Sequence, residues 1–218
     1  MLIFAGVGPG DPELLTLKAA RAMERADAIA LADSGRGESV VQKIAGTYMA
    51  QKPVYRLHMP MTGNRTDWRA AHEQAARELL ELLKVHPTIV YPVLGDPGVY
   101  ASSSYLADLL RPHHPVKVIP GIPTMCAAAA EMGVALCEQR ETLTVVDQIQ
   151  ADEPLPAGNA VIMKCGKSLA ALQQKAAHRQ AYAIRNLGLE DQWVGPLEDA
   201  PTGNPSYFTT VILKGEKK

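Results

Sequence analysis

The sequence predicts an α/β protein in two parts, on three observations. Over the first 120 residues, short apolar β-branched segments alternate with amphipathic helical patterns, the mark of a mostly parallel sheet covered on both faces. Beyond that point the texture changes to four strand-like segments and one good helix, as in a smaller part with a mixed sheet. Four loops rich in Gly, Pro, Asp and Ser ("GVGPGDP", "LADSGRGES", "LGDPGVY" and "PGIPT") each follow a predicted strand. In an open parallel sheet such carboxyl-end loops converge on one crevice. The boundary is expected near residues 119 to 124, dividing 1–120 from 121–218.

The elements follow in order. "LIFAGV" is a strand. "LTLKAARAMERA" sets Leu15, Ala19, Ala22, Met23 and Ala26 on one helical face. "AIALA" is a second strand, "GESVVQKIAG" a helix closed by Gly46, and "VYRL" a strand. "DWRAAHEQAARELLELLK" is a long helix with Asp67 at its N-cap. The apolar strand "TIVYPVLGD", the helix "VYASSSYLADLLR" and the strand "VKVIPG" complete the first part. In the second, "ETLTVV", "NAVIMKC", "AYAIRN" and "YFTTVILKG" read as strands and "SLAALQQKAAH" as a helix.

Composition narrows the function classes. The chain of 218 residues is 47% apolar and 21% charged, ordinary for a globular protein. A net charge of −1 gives no drive toward nucleic acid. No apolar run is long enough to span a bilayer, and the start lacks the basic region of a signal peptide. Cys126, Cys137 and Cys165 show no CxxC spacing, so reduced thiols and a cytoplasmic location are expected, with Cys126 on a buried helix face. His72, His86 and His178 sit on or at the ends of helices and His113-His114 in a turn. They lack metal-ligand spacing and read as solvated surface groups, so no metal is expected. His58 differs, standing at a strand end.

The first loop carries three glycines and two prolines. Gly6, Gly8 and Gly10 do not match the dinucleotide spacing Gly-x-Gly-x-x-Gly. Pro9 and Pro12 offer no backbone N–H, and Asp11 and Glu13 would repel a phosphate. A stiff edge, with backbone close to something and an acid presented, fits better than a phosphate cradle. A nucleotide-binding regulatory module using the same crevice stays open as an alternative class.

The stretches "GVGPGDPELLTLKAARAMERADAI", "YPVLGDPGVYASSSYL" and "VIPGIPTMCAAAA", in this order and spacing, resemble the tetrapyrrole (corrin/porphyrin) methylases over almost the whole chain. "LHMPMTGN", "AVIMKCGKSLAAL" and "NPSYFTTVIL" are similar to the members that methylate C-20 of precorrin-2 or cobalt-factor II. Sister members act on another ring carbon such as C-11 or C-17. The resemblance implies two αβα domains with a cofactor cleft between them, the first on the substrate side and the second on the adenosine side. It also implies a homodimer, S-adenosylmethionine as methyl donor with S-adenosylhomocysteine as product, a tetrapyrrole substrate, and neither metal nor covalent intermediate.

That chemistry explains why no Ser-His-Asp or Cys-His arrangement stands out. A sulfonium makes the methyl carbon electrophilic and a reduced tetrapyrrole is already nucleophilic, so the protein has mainly to hold the two in line and exclude water. No residue is assigned as catalytic. Carried over by the resemblance, Gly95, Asp96 and Val99 meet the methionine part of the cofactor, mostly by backbone, and Pro9 lines the same pocket. Alone, Gly95-Asp96-Pro97 reads as a plain turn; the resemblance reverses that reading. Thr124 matches the next cofactor segment, Met163 and Asn186 the backbone contacts to adenosine, and Thr209 a further contact. Met163 alone reads as a core methionine. A substrate bearing many carboxylates calls for cations and hydroxyls, hence Arg36 with Ser34 beside it. Asp11 is placed to accept a pyrrole N–H or the proton released on methylation, or to cap the first helix. Tyr100 is placed against the macrocycle face, or in the core.

Overall fold

A computed structural model describes residues 1–35, 39–150 and 152–215. The chain divides into two compact units, Met1–Pro123 and Thr124–Lys218.

The first unit holds β1 (Leu2–Gly6), α1 (Leu17–Arg25), β2 (Ala28–Asp33), α2 (Val40–Met49), β3 (Val54–His58), α3 (Arg65–Val85), β4 (Ile89–Val93), α4 (Ser103–Leu110) and β5 (Val116–Ile119). Its sheet has the order β3-β2-β4-β1-β5 and every pair is parallel. The period-2 alternation of strand side chains feeds two cores. Ile3, Ala5, Ile29, Leu31, Val90 and Ile119 pack under α1 and α2. Leu2, Phe4, Ala28, Ala30, Leu57 and Tyr91 pack under α3 and α4. The expected stripe on α1 is the buried one: Ala19, Met23 and Ala26 are buried, with Leu15 and Ala22 against the same core. Thr16 caps α1 by accepting from the Ala19 N–H at 3.2 Å.

Two boundaries differ from expectation. Asn64, not Asp67, caps α3; its Oδ1 accepts from the N–H groups of Thr66 and Asp67. Asp67 lies in the first turn, where its charge still suits the helix dipole. Helix α2 runs through Gly46 to Met49. Burial of Ile44, Ala45 and Met49 outweighs the ~1 kcal/mol that an interior glycine costs.

His72 is a further correction: it is buried rather than solvated, at 3% exposure. Its ring lies 3.9 Å from the Trp68 ring, with Tyr105 edge-on. Nδ1 donates to the Trp68 carbonyl at 2.8 Å, so Nε2 is the bare nitrogen, buried and without a partner. Burial lowers the pKa of this imidazole, against the raising effect of the carbonyl bond. The unfolded chain therefore takes up a proton on acidification through the ordinary histidine value of about 6.5 before the folded chain does. Stability present above that value is lost as pH falls below it, down to the folded pKa. His72→Phe is expected to flatten the fall in melting temperature between neutral and mildly acidic pH. An unchanged slope would show that His72 is not its source.

The second unit holds α5 (Thr124–Glu131), β6 (Leu143–Val146), β7 (Asn159–Ile162), α6 (Leu169–Lys175), β8 (Ala181–Arg185), β9 (Trp193–Pro196) and β10 (Thr209–Leu213). Its sheet has the order β6-β7-β10-β8-β9, with β6 and β7 parallel and the other pairs antiparallel. Helix α5 covers Val161, Ile184 and Ile212. Helix α6 covers the opposite face, with Ala160, Ile162, Ala183 and Val211. Cys126 is exposed on α5, contrary to expectation: Ala128 and Ala129 form the buried face, and a run of alanines does not mark which side turns inward. Among the described residues no helix is long and apolar enough to cross a membrane.

Candidate active site

In the first sheet β4 and β1 are neighbours, yet the helices that follow them cover opposite faces. Adjacent strands whose connections part in this way define a topological switch point, and ligands of open α/β sheets bind outside the carboxyl ends there. The loops at this point are fitted backbone to backbone. Gly8 and Gly95 exchange N–H···O bonds of 3.3 and 2.7 Å. A Cβ on Gly6 would lie 2.4 Å from the Gly121 N and 2.6 Å from the Gly95 O. On Gly121 it would lie 2.1 Å from the Gly95 O. The ends of β1, β4 and β5 thus meet backbone to backbone through three glycines, and at two of them, Gly6 and Gly121, no side chain fits.

Asp96 locks this arrangement. Its Oδ1 accepts from the Gly98 N–H at 2.6 Å and its Oδ2 from the Gly121 N–H at 2.9 Å, joining the β4 loop to the β5 loop. Charge-assisted bonds of this kind are the strong ones. Gly95 has φ +70°, and the direction a Cβ would take from it is open for 4 Å. The loop is therefore stiff on its inner side and vacant on its outer side. Val99 follows, its N–H on the Asp96 carbonyl. Tyr100 takes φ +46° and is 46% exposed, so it is not a core aromatic; a strained non-glycine residue in such a loop points to function.

The other residues of this edge fall as follows. Pro9 is buried beside Gly8 and Gly10. Asp11 accepts from the Glu13 N–H at 2.8 Å and caps a short 3-10 turn, Pro12–Leu14, ahead of α1. Ser34 is half-buried after Asp33, whose carboxylate accepts from the Gly35 N–H at 2.8 Å. Arg36 lies outside the described residues. His58, at the exposed end of β3, pairs in register with Asp33.

The second unit gathers its own edge. The ends of β6 and β7, the start of β10 and the end of β8 share one side of the sheet, because β10 runs antiparallel to both β7 and β8. Met163 is half-buried against the core, its N–H on the Val146 carbonyl. Asn186 has φ +51° and its N–H donates to the Phe208 carbonyl at 2.9 Å. Lys164 has φ +52°, so this edge too holds strained non-glycine residues. Thr124 opens α5 and is half-buried. Thr209 is fully buried and its hydroxyl donates to the Ser206 carbonyl at 2.7 Å.

Some neighbours escape sequence reasoning. The Lys164 ammonium lies 2.6 Å from the Asp147 carboxylate and 5.9 Å from the Tyr207 ring centre. Burial alone lowers its pKa, but Asp147 and Tyr207 outweigh burial and leave it raised. Tyr207 and Phe208 are exposed, edge to face. Asp147 and Lys164 are distant in sequence, and only the parallel pairing of β6 with β7 joins them. Cys165 is buried, and burial pushes its thiol up to about 12, which removes it as a nucleophile. Among the described residues no His, Cys, Asp and Glu cluster could hold a metal ion.

Comparison with known proteins agrees with this architecture. The chain is 29% identical to the precorrin-2 C(20)-methyltransferase of Sinorhizobium sp., over 99% of this chain and 96% of that one. It is 32% identical to a probable cobalt-precorrin-2 C(20)-methyltransferase of Methanocaldococcus jannaschii, over 66% of this chain and 62% of that one. The uroporphyrin-III C-methyltransferase of Thermus thermophilus, solved in complex with S-adenosylhomocysteine, has the same fold, with a TM-score of 0.65 at 20% identity, covering 98% of this chain and 96% of that one. The model of the tetrapyrrole (corrin/porphyrin) methylases matches residues 1–201, and the chain belongs to that family.

Proposed function

We propose that this protein transfers a methyl group from S-adenosylmethionine to C-20 of precorrin-2 or its cobalt-bearing counterpart, in cobalamin biosynthesis. The observation that carries methyl transfer is the β4 loop: it is stiffened by Asp96 and left vacant at Gly95, a fit for a ligand held closely by backbone. The ring position rests on the relatives named for C(20), one of which aligns end to end.

The bound donor supplies an electrophilic methyl carbon on a sulfonium. The protein supplies position. Gly95 and Val99 offer backbone to the methionine part. Met163 and Asn186 offer it to the adenosine part, and Thr124 lies on the next cofactor segment. Ser34 and Arg36 are the groups assigned by this proposal to the substrate's carboxylates, and Tyr100 the one assigned to its ring face. Asp11 is the acid of the first loop, suited to accept a pyrrole N–H or the proton that leaves the methylated carbon. Holding the reactants in line supplies the catalysis, because both are intrinsically reactive.

Mass spectrometry of reactions with precorrin-2, with and without inserted cobalt, tests the proposal. The expected product is heavier by one methylene, with the new methyl at C-20 by NMR. A methyl at another ring carbon would make this a sister enzyme. Tighter binding of ATP or a dinucleotide than of S-adenosylhomocysteine would overturn the class. The same proposal includes a cytoplasmic homodimer; a monomer by light scattering across a wide concentration range would count against the dimer.

A further inference from the structure

The second edge has a hub that no strand pattern reveals. Ser206 is half-buried in the loop before β10. Its hydroxyl donates to the Asn186 Oδ1 at 2.5 Å and accepts from the Phe208 N–H at 3.1 Å, which one hydroxyl can do at once. Its carbonyl accepts from the Thr209 hydroxyl at 2.7 Å. That carbonyl also sits so close to Gly166 that a Cβ there would lie 2.0 Å from it. Ser206 therefore touches three loops: the one after β7, the one after β8 and its own.

These loops carry the strained residues of the edge. Asn186 is held at φ +51° and its N–H meets the Phe208 carbonyl. Lys164, at φ +52°, precedes Cys165, whose N–H meets the Thr209 carbonyl at 3.0 Å. Left-handed backbone at a non-glycine residue is uncommon and persists only where its surroundings over-determine it. At Asn186 the surroundings are Ser206 and Phe208. Arg185 fixes the far end of the same loop by donating to the carbonyls of Pro201 and Asn204.

We infer that Ser206 is a positioning residue for the methyl donor: it holds Asn186 and the Tyr207-Phe208 pair in the arrangement that receives the adenosine part, without touching the reacting atoms. This rests on the function proposed above.

The test uses the full chain, wild type and Ser206→Ala, well below the melting temperature of either. Titration calorimetry with S-adenosylhomocysteine should show binding weakened roughly ten-fold, as expected for two neutral hydrogen bonds. In steady-state kinetics the Michaelis constant for S-adenosylmethionine should rise while that for the tetrapyrrole and kcat stay within two-fold. A role in stability alone would move none of these. If Ser206 acts through Asn186, adding Ser206→Ala to Asn186→Ala should give little further loss. Unchanged affinity in Ser206→Ala, or fully additive losses in the double variant, overturns the inference. Hydrogen exchange at the Asn186 and Phe208 amides reads the hub without ligand, and faster exchange is expected in Ser206→Ala. A wild-type chain that binds no S-adenosylhomocysteine would instead overturn the proposed function, and with it the ligand of this edge.

Discussion

Gly121→Ala is expected to destabilise the fold severely, lowering the melting temperature by about 8–20 °C. The added Cβ would lie 2.1 Å from the Gly95 carbonyl oxygen and 2.8 Å from both Cα and C of Gly6. All are backbone atoms, and two of the strands involved are hydrogen-bonded on both sides within the sheet. Overpacking a side-chain core costs about 1–3 kcal/mol, because neighbours shift rotamers. Here nothing can rotate, so the cost should exceed that range and reach the 4–5 kcal/mol that marks exceptional substitutions. Against a net stability of about 5–15 kcal/mol, such a loss removes between about a quarter and all of it. Gly46→Ala is the control of opposite sign. It lies inside α2 with no atom near its Cβ position, so it should stabilise by ~1 kcal/mol and raise the melting temperature by about 2–4 °C. Circular dichroism against temperature reads both. A Gly121→Ala protein melting within two or so degrees of wild type would show that the three-glycine contact is not tight.

The sequence makes the first unit legible because its elements state their period. The α1 stripe from Leu15 to Ala26 and the apolar strands each report which face is buried, and parallel pairing follows from strand-helix alternation. Signals fail where one residue type serves two roles. Gly46 reads as a stop and is an interior residue; the buried residues Ile44 and Met49 on either side decide it. Strand β9, Trp193–Pro196, is missed because Gly195 and Pro196 read as loop, yet an edge strand tolerates proline. His72 follows the polar pattern of α3, and only the packing of Trp68 and Tyr105 around it buries it. At the edges, Gly95 and Asp96 are visible as a motif. That the Asp96 carboxylate binds backbone across two loops is a tertiary fact. Asp147, Ser206 and Gly166 had no signal beyond turn-prone composition, since their partners lie far away in the chain.

Gly95→Leu should abolish binding of S-adenosylhomocysteine while leaving a folded protein. At φ +70° a leucine is strained, by about 1–2 kcal/mol, which the fold should survive. At Cβ no clash adds to that strain, because no atom beyond its chain neighbours lies within 4 Å of that position. The side chain would instead enter the vacant space outside the β4 loop, which the proposed function gives to the methionine part of the donor. Loss of affinity beyond a hundred-fold, about 2.7 kcal/mol, is expected by calorimetry. Gly35→Leu separates filling from strain. Its φ is +71° and its Cβ position is equally open, but it sits in the β2 loop, after Asp33. It should melt at about the same temperature as Gly95→Leu and bind S-adenosylhomocysteine like wild type. Equal losses in both variants would trace the effect to a general weakening of the fold. Unchanged binding in Gly95→Leu would remove the β4 loop from the donor site.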